Sequence, residues 1–396
     1  MRIVHIGTGF LPVSADADRS VETTIYQLTQ HLALSGHEVH VLDMATGPRA
    51  RSDTTVRFHR VHSLPLPGST LAGYSLKVVC FSVSLLPGLR RLVRDGGADM
   101  VHAHSQFPAA AVLIARRLFR WHIPVVYTAH NPYLLAQPGR VNRLKHLLLE
   151  GWVLRRVDRV LAQTRTVASE LVRRFRVNPE RVSQVFAGID TEMISRFAQE
   201  HPAQRNGHHT VLCPAIINPR KNQMAVVEGI PDILKMFPRC RFVFAGRVDD
   251  RDYFDRIQAR LDEHHVGGCV EFTGHLPRET LYRRYLEATV FVFPTLYESQ
   301  GLVLLEAMAF GLPVIASRIG PIEDVVSLHE GSAVLVDPAD TGELGRAIVD
   351  LLQDGERRKQ LSTHGKELAF SRFSWSRTAQ DTLTAYQHVL REANPD

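Results

Sequence analysis

Cysteine is scarce: the 396 residues hold four thiols, Cys80, Cys213, Cys240 and Cys269, with no C-x-x-C spacing and apolar neighbours around each. That excludes a disulfide-stapled scaffold and fits a reducing compartment, so a cytoplasmic location is expected. Long hydrophobic runs are lacking too. The longest, Val78 to Leu86, is broken by Ser82 and Ser84 and ends at Pro87, short of the roughly 20 apolar residues that span a bilayer. The opening Met1-Arg2-Ile3-Val4-His5-Ile6 turns at Gly7 and Gly9 before a signal-length run builds up, so it reads as a buried strand without a secretory signal. A complete dinucleotide fingerprint is also missing. Gly7-Thr8-Gly9 starts like one, but Pro12 follows and no third glycine falls in register, which argues against a nicotinamide cofactor. Asp250-Arg251-Asp252 has the D-x-D form of metal-dependent sugar transferases, but it lies in a polar loop, and no metal is expected there.

What is present is ordinary globular material, 44% hydrophobic and 22% charged, in a chain long enough for two cores. Apolar runs Ile3 to Ile6, Val39 to Leu42, Met100 to His104, Val125 to Ala129 and Val160 to Ala162 alternate with helix-length amphipathic segments. The same order restarts at Val211 to Cys213 and continues through Phe242 to Ala245, Val270 to Phe272, Val290 to Phe293, Val314 to Ala316 and Ala333 to Val336. Strand and helix in alternation imply parallel sheets, hence two doubly wound Rossmann-like α/β domains. The polar stretch His201 to His209 is read as the linker, giving domains over 1–200 and 201–374. Ligands of such sheets bind beyond the carboxyl ends of the strands, so a shared ligand is expected in a cleft between the two domains. Charge divides unevenly. Residues 1–200 carry 25 basic and 15 acidic side chains, and 22 and 26 follow residue 200. A basic first half suits an anionic lipid surface or a phosphorylated substrate.

The most informative stretch runs from Phe291-Val292-Phe293 through Pro294-Thr295-Leu296-Tyr297-Glu298-Ser299-Gln300-Gly301-Leu302 to Glu306. A strand ends, a short loop follows and a helix starts near Gly301, where unpaired amides at the positive end of the helix dipole suit an anion such as a diphosphate. Glu298 and Glu306, seven residues between them, repel phosphates and so suit the hydroxyls of a sugar or ribose.

This E-x7-E segment, followed by Gly311-Leu312-Pro313 and Gly320-Pro321, resembles the retaining glycosyltransferases of the GT-B fold, family 4. The resemblance extends to Ser35-Gly36-His37-Glu38-Val39, Val101-His102-Ala103-His104, Thr128-Ala129-His130, Gly188-Ile189-Asp190, Phe272-Thr273-Gly274 and Phe373-Ser374-Trp375. It implies that the second domain binds a nucleotide-sugar, that the first binds the acceptor, and that a last helix over about 375–396 crosses back onto the first domain. Glu306 is then the ribose ligand and Glu298 the donor-sugar contact, with Ser299, Gln300, Gly301 and Leu302 forming the rest of the diphosphate seat. Lys221 falls on the family's lysine, while Ile216 occupies the usual arginine position, leaving Arg220 to supply the missing charge. The resemblance places His130 near the donor sugar and the leaving phosphate. His104, read as facing away from His102, together with Gly9 and Arg19, are acceptor-side candidates; Arg19 stands where many members have glycine.

The expected activity is metal-independent retaining hexosyl transfer, without a cofactor, from a UDP-sugar in preference to a GDP-sugar. The acceptor is a hydroxyl of a small molecule or a lipid-linked compound. The alternatives are a non-catalytic sugar-nucleotide binder and a GT-B phosphorylase or epimerase. No nucleic-acid partner is expected. The basic segment Arg140 to Arg156 reads as an amphipathic helix suited to peripheral membrane contact.

Overall fold

The computed structural model describes residues 1–15, 20–44, 56–62, 71–95, 97–130, 148–202 and 207–393. The chain divides into two compact units, Met1–Gly188 with Trp375–Asp396, and Ile189–Ser374.

The first unit is a seven-stranded, wholly parallel sheet. Its strands are β1 (Arg2–Ile6), β2 (Glu38–Met44), β3 (Arg57–Val61), β4 (Met100–Ala103), β5 (Val125–Ala129), β6 (Arg159–Ala162) and β7 (Val182–Gln184). Their order is β3-β2-β1-β4-β5-β6-β7. The central strands are buried on both faces and read as continuous apolar runs, as helix-covered parallel sheets require. The outer strands β3 and β7 escape that signature. Arg57-Phe58-His59-Arg60-Val61 and Val182-Ser183-Gln184 are exposed or only partly covered along most of their length, so no apolar run marks them. The last helix, Trp375–Ala393, packs on the first, Ser20–Leu34, and its Tyr386 is fully buried.

The second unit repeats the design with six parallel strands. These are β8 (Thr210–Pro214), β9 (Arg241–Ala245), β10 (Val270–Gly274), β11 (Val290–Phe293), β12 (Val314–Ser317) and β13 (Val334–Val336). Their order is β10-β9-β8-β11-β12-β13, the pattern of the first sheet without its seventh strand. In both sheets the order reverses beside the first strand, at β1/β4 and at β8/β11, where a crevice opens at the strand carboxyl ends.

The helix Thr191–Glu200, placed before the linker by sequence, groups with the second unit. Phe197 stacks on His201 and meets Tyr282 and Phe310 edge-on at 5.4 and 6.3 Å. Its apolar face found a surface there that periodicity alone cannot name. The chain enters this unit beside its exit, because Ile189 N–H donates to the Phe373 carbonyl at 2.7 Å. No described helix is long and apolar enough to cross a membrane.

Candidate functional site

In the second unit, the turns that follow β8 and β11 are bound to each other by their backbones. A 3₁₀ turn, Pro219–Lys221, is capped by Asn218, whose side-chain oxygen accepts from Lys221 N–H at 3.2 Å. The Arg220 carbonyl then accepts from Leu296 N–H at 2.8 Å and from the Thr295 hydroxyl at 3.2 Å. That junction brings Lys221 against Glu298, and the two side chains form a direct ion pair, 10% and 15% exposed. The Lys221 ammonium also lies 4.8 Å from the centre of the Phe293 ring, a cation–π contact that helps hold it. Burial pushes the Glu298 carboxyl up, but the charge and hydrogen bond of Lys221 and the charge of Arg220 outweigh it and leave Glu298 below its ordinary value. Arg220 therefore stands near the carboxylate. Ile216 is half-buried, and its carbonyl accepts from the Gln223 side chain at 2.9 Å.

Gly301 precedes the helix Leu302–Ala309 at φ +88°, where a Cβ would come within 3.2 Å of both Ile322 and Phe293. Glycine is needed there both for the left-handed backbone and for the space. The first-turn amides of Leu302 and Val303, which a helix leaves without internal acceptors, follow directly. Ser299 N–H donates to Glu298 Oε1 at 3.2 Å, and Gln300 is buried. One helical turn on, Glu306 accepts from the Tyr285 hydroxyl at 3.3 Å. Burial lifts its carboxyl to about 7, with Asp190 adding to the rise and Arg278 and the Tyr285 bond opposing it. Arg278 and Tyr285 escaped the sequence reading, and Asp190 entered it only within the Gly188-Ile189-Asp190 string, because they come from a different helix and a different turn, brought here only by folding.

In the first unit the carboxyl ends of β1, β4 and β5 carry four imidazoles. His5 and His102 are register partners on adjacent strands, and His5 Nδ1 lies 3.0 Å from His104 Nε2. His104 Nδ1 in turn lies 2.9 Å from His130 Nε2. The expectation that His104 faces away from His102 is corrected: their ring centres are 4.2 Å apart. Strand β4 ends at Ala103, so the alternation that would separate the two stops one residue too early. His102 sits between the Tyr386 hydroxyl at 2.6 Å and that of Thr128 at 2.7 Å. His5, His102 and His104 each bring a nitrogen within 4.8 Å of the others, a spacing a metal ion would accept. Both His102 nitrogens are already engaged by hydroxyls, which would compete with such an ion. The missed member is His5. A histidine inside an apolar strand stands out only once β1 and β4 are known to be neighbours.

Burial lowers His130 to about 4 and His5 to about 3, and His102 and His104 also fall well below the ordinary imidazole value through burial and their mutual charges. All four are neutral near pH 7. A chain of neutral imidazoles hydrogen-bonds consistently only if His5, His104 and His130 all carry their protons on Nδ1, or all on Nε2. His5 Nε2 is buried without a partner. The Nδ1 arrangement leaves a lone pair there, and the other an N–H, the rarer orphan. The chain thus turns His130 Nδ1–H outward as a donor. In ¹⁵N-imidazole NMR spectra His130 is expected as the Nδ1–H tautomer, retained in His104→Asn, whose amide can still donate to Nε2, and mixed in His104→Leu. A wild-type Nε2–H resonance would refute this ordering.

Gly9 has φ +78°, and the space of its missing Cβ is filled by the Phe81 ring at 2.6 Å. The close approach there is to a core side chain. Arg19 lies outside the described residues, as do 140–147 of the basic segment. Its described part, 148–156, turns Val153 and Leu154 into the core and leaves Leu148, Arg155 and Arg156 exposed. Asp250 caps the helix Arg251–Glu263 by accepting from Tyr253 N–H at 2.8 Å, which accounts for the first carboxylate of the D-x-D string.

The chain thus holds two doubly wound sheets, the second with a buried cation–carboxylate pair at its reversal point. Residues 21–193 match Glycosyltransferase Family 4 and residues 196–368 match Glycosyl transferases group 1. The chain belongs to the family 4 glycosyltransferases and has the GT-B fold. It is 27% identical to a D-inositol 3-phosphate glycosyltransferase of Acidothermus cellulolyticus, over 99% of this chain and 90% of that protein. A second D-inositol 3-phosphate glycosyltransferase, from Salinispora tropica, is 28% identical over 98% of this chain and 85% of that one. Sucrose-phosphate synthase of Thermosynechococcus elongatus superposes with a TM-score of 0.80 at 22% identity, covering 99% of both chains. Anabaena HepE, solved in complex with UDP and glucose, gives 0.75 at 16% identity over 98% and 99%.

Proposed function

We propose that this glycosyltransferase moves a hexose from a UDP-sugar to a hydroxyl of a small-molecule or lipid-linked acceptor, with retention at the anomeric carbon and without a metal. The observation that carries the reading is the buried Lys221–Glu298 pair, one helical turn and a glycine away from Glu306, at the reversal point of the second sheet. Lys221 and Arg220 are assigned the diphosphate, whose negative charge grows as the glycosidic bond breaks. Glu306 accepts from the ribose hydroxyls and Glu298 from the donor sugar. His130 is assigned a donor-sugar contact through its outward Nδ1–H. In the step itself, the bond from the anomeric carbon to the diphosphate oxygen breaks and the acceptor oxygen attacks from the same face. The acceptor proton passes to the departing phosphate. The preference for uridine is supported by the Anabaena relative solved with UDP, and an inositol-type polyol acceptor by the naming of the relatives in sequence.

Thermal-shift measurements with UDP, GDP, ADP, their sugar conjugates and NAD(H) test this reading. At a hundredfold excess over Kd, a ligand bound only by the native state stabilises by about 2.7 kcal/mol, a shift of several degrees. UDP is expected to give that shift in the wild type and at most half of it in Glu306→Ala. A response to GDP alone would overturn the uridine assignment, and silence toward every nucleotide would overturn the transferase reading.

A further inference from the structure

The helices Leu71–Ser84, Leu86–Arg94 and Gln106–Leu118 pack on one another along one side of the first sheet. Their inner faces are apolar and buried, through Phe81, Leu89, Leu92, Val112 and Leu113. A helix layer over a sheet then normally turns a polar face to water, whereas the first and third helices of this one turn large apolar side chains outward. Over residues 76–84 the exposed positions are Leu76, Val79 and Val83, with no exposed polar residue among them. On the third helix and its end, Ile114, Leu118 and Phe119 are 51%, 72% and 46% exposed. Six of the eleven large exposed hydrophobic residues in the described chain thus lie on this one layer. Monomeric soluble proteins seldom leave so concentrated an apolar surface uncovered.

The charges around it are mainly of one sign. Arg90, Arg91, Arg94, Arg117 and Arg120 are all exposed on the same helices and their ends, against two exposed acids, Asp95 and Asp99, after the second helix. Arg90 lies 5.4 Å from the Phe119 ring centre, which ties the basic and apolar parts into one surface. Arg116 points elsewhere, into a salt bridge with Asp158.

We propose that this helix layer docks the protein on an anionic lipid surface, with the aliphatic side chains entering the boundary between headgroups and acyl chains and the five arginines paired with lipid phosphates. Aliphatic insertion combined with basic flanks is what reversible attachment to a bilayer requires. A second copy of the chain fits less well. Five arginines stand beside the apolar side chains, whereas the centre of a protein interface is depleted of charge. A nucleic acid would leave five of the six apolar side chains without stacking partners. The surface differs from the basic segment expected from sequence, whose described residues bury Val153 and Leu154 in the core. The inference does not rest on the transferase reading, because membrane attachment needs no turnover.

Co-sedimentation of the full chain with sucrose-loaded vesicles tests it, using equimolar phosphatidylglycerol and phosphatidylcholine against phosphatidylcholine alone, in about 0.1 M salt. Wild type is expected to partition onto the anionic vesicles at least tenfold more strongly. Arg90→Gln and Arg117→Gln should each lower binding about fivefold. Val83→Asp/Leu118→Asp should bring it to background while melting like wild type, since both positions face solvent. Wild type that stays in the supernatant with anionic vesicles would overturn the proposal, as would an aspartate double variant that sediments like wild type. A wild-type dimer in analytical ultracentrifugation that becomes monomeric in the double variant, without vesicle binding, would assign the face to a second copy instead.

Discussion

Glu306→Gln is expected to melt about 5 °C above wild type at pH 8 and to bind UDP ten- to a hundredfold more weakly. Both effects come from one fact, the desolvation that lifts the Glu306 carboxyl from near 4.5 to about 7. A folded-state value raised above the unfolded one means that the native protein still holds a proton the unfolded chain has released. The stability this gives is fully present below pH 4.5 and is lost as pH rises through 7. At about 1.4 kcal/mol per pH unit, keeping the carboxylate ionised at pH 8 costs the fold roughly 3 kcal/mol. Glutamine keeps the shape without the charge, so its advantage should shrink as the buffer is taken down and disappear near pH 5. In the proposed function, however, it is the ionised carboxylate that accepts two ribose hydroxyls at once, and a charged hydrogen bond contributes about 1.5–3 kcal/mol. Wild-type affinity for UDP should accordingly weaken below pH 7, by up to tenfold per unit, while that of the variant stays flat. Calorimetric melting and titration with UDP at pH 5, 7 and 8 read both halves. Equal melting at pH 8 would mean that the carboxylate is solvated, and equal affinity that it does not hold the nucleotide.

The second large effect is expected at Lys221. Removing one member of a buried ion pair leaves the other charged and desolvated, which typically costs 3–5 kcal/mol, and this pair is nearly as enclosed. Lys221→Met should therefore lose about 3 kcal/mol of stability near pH 8. In the wild type, Glu298 is held below its ordinary value by Lys221 and Arg220 against its own burial. The pair thus contributes stability above the unfolded carboxyl value and loses it as pH falls through the folded one. In Lys221→Met the larger opposing influence is gone and burial dominates, so the sign reverses and the variant is weakest at high pH. Turnover should fall by about 10²–10³, the usual loss when a charge aimed at a developing oxyanion is removed. The double variant Lys221→Met/Glu298→Gln separates the two roles, since it should regain most of the stability and none of the activity. If it regains activity as well, the pair is structural and the diphosphate is held elsewhere.

Much of the second unit's site was written locally. Glu298, Gly301 and Glu306 lie on one continuous strand, loop and helix, so their spacing survives any tertiary arrangement. Lys221 and Arg220 follow the first strand of the unit by a short turn, and parallel-sheet rules bring that turn beside the one after β11. The central strands were legible for a similar reason: buried on both faces, they spell unbroken apolar runs. The edge strands β3 and β7 have water on one side, and their mixed composition looks like loop.

The sequence by itself determined the two doubly wound units, the family and the grouping of Arg220, Lys221, Glu298 and Glu306, because each depends on a pattern closed within a few residues or on the fixed handedness and order of parallel strands. Only the tertiary structure decided how those groups are tuned. Glu306 is lifted by burial beside Asp190 and steadied by Tyr285 and Arg278 from other elements, and His5 completes an imidazole chain only because β1 lies against β4. The bare Cα of Gly9 makes room for Phe81, some seventy residues on. Desolvation and contact depend on which distant surfaces cover a group, and no local spacing encodes that.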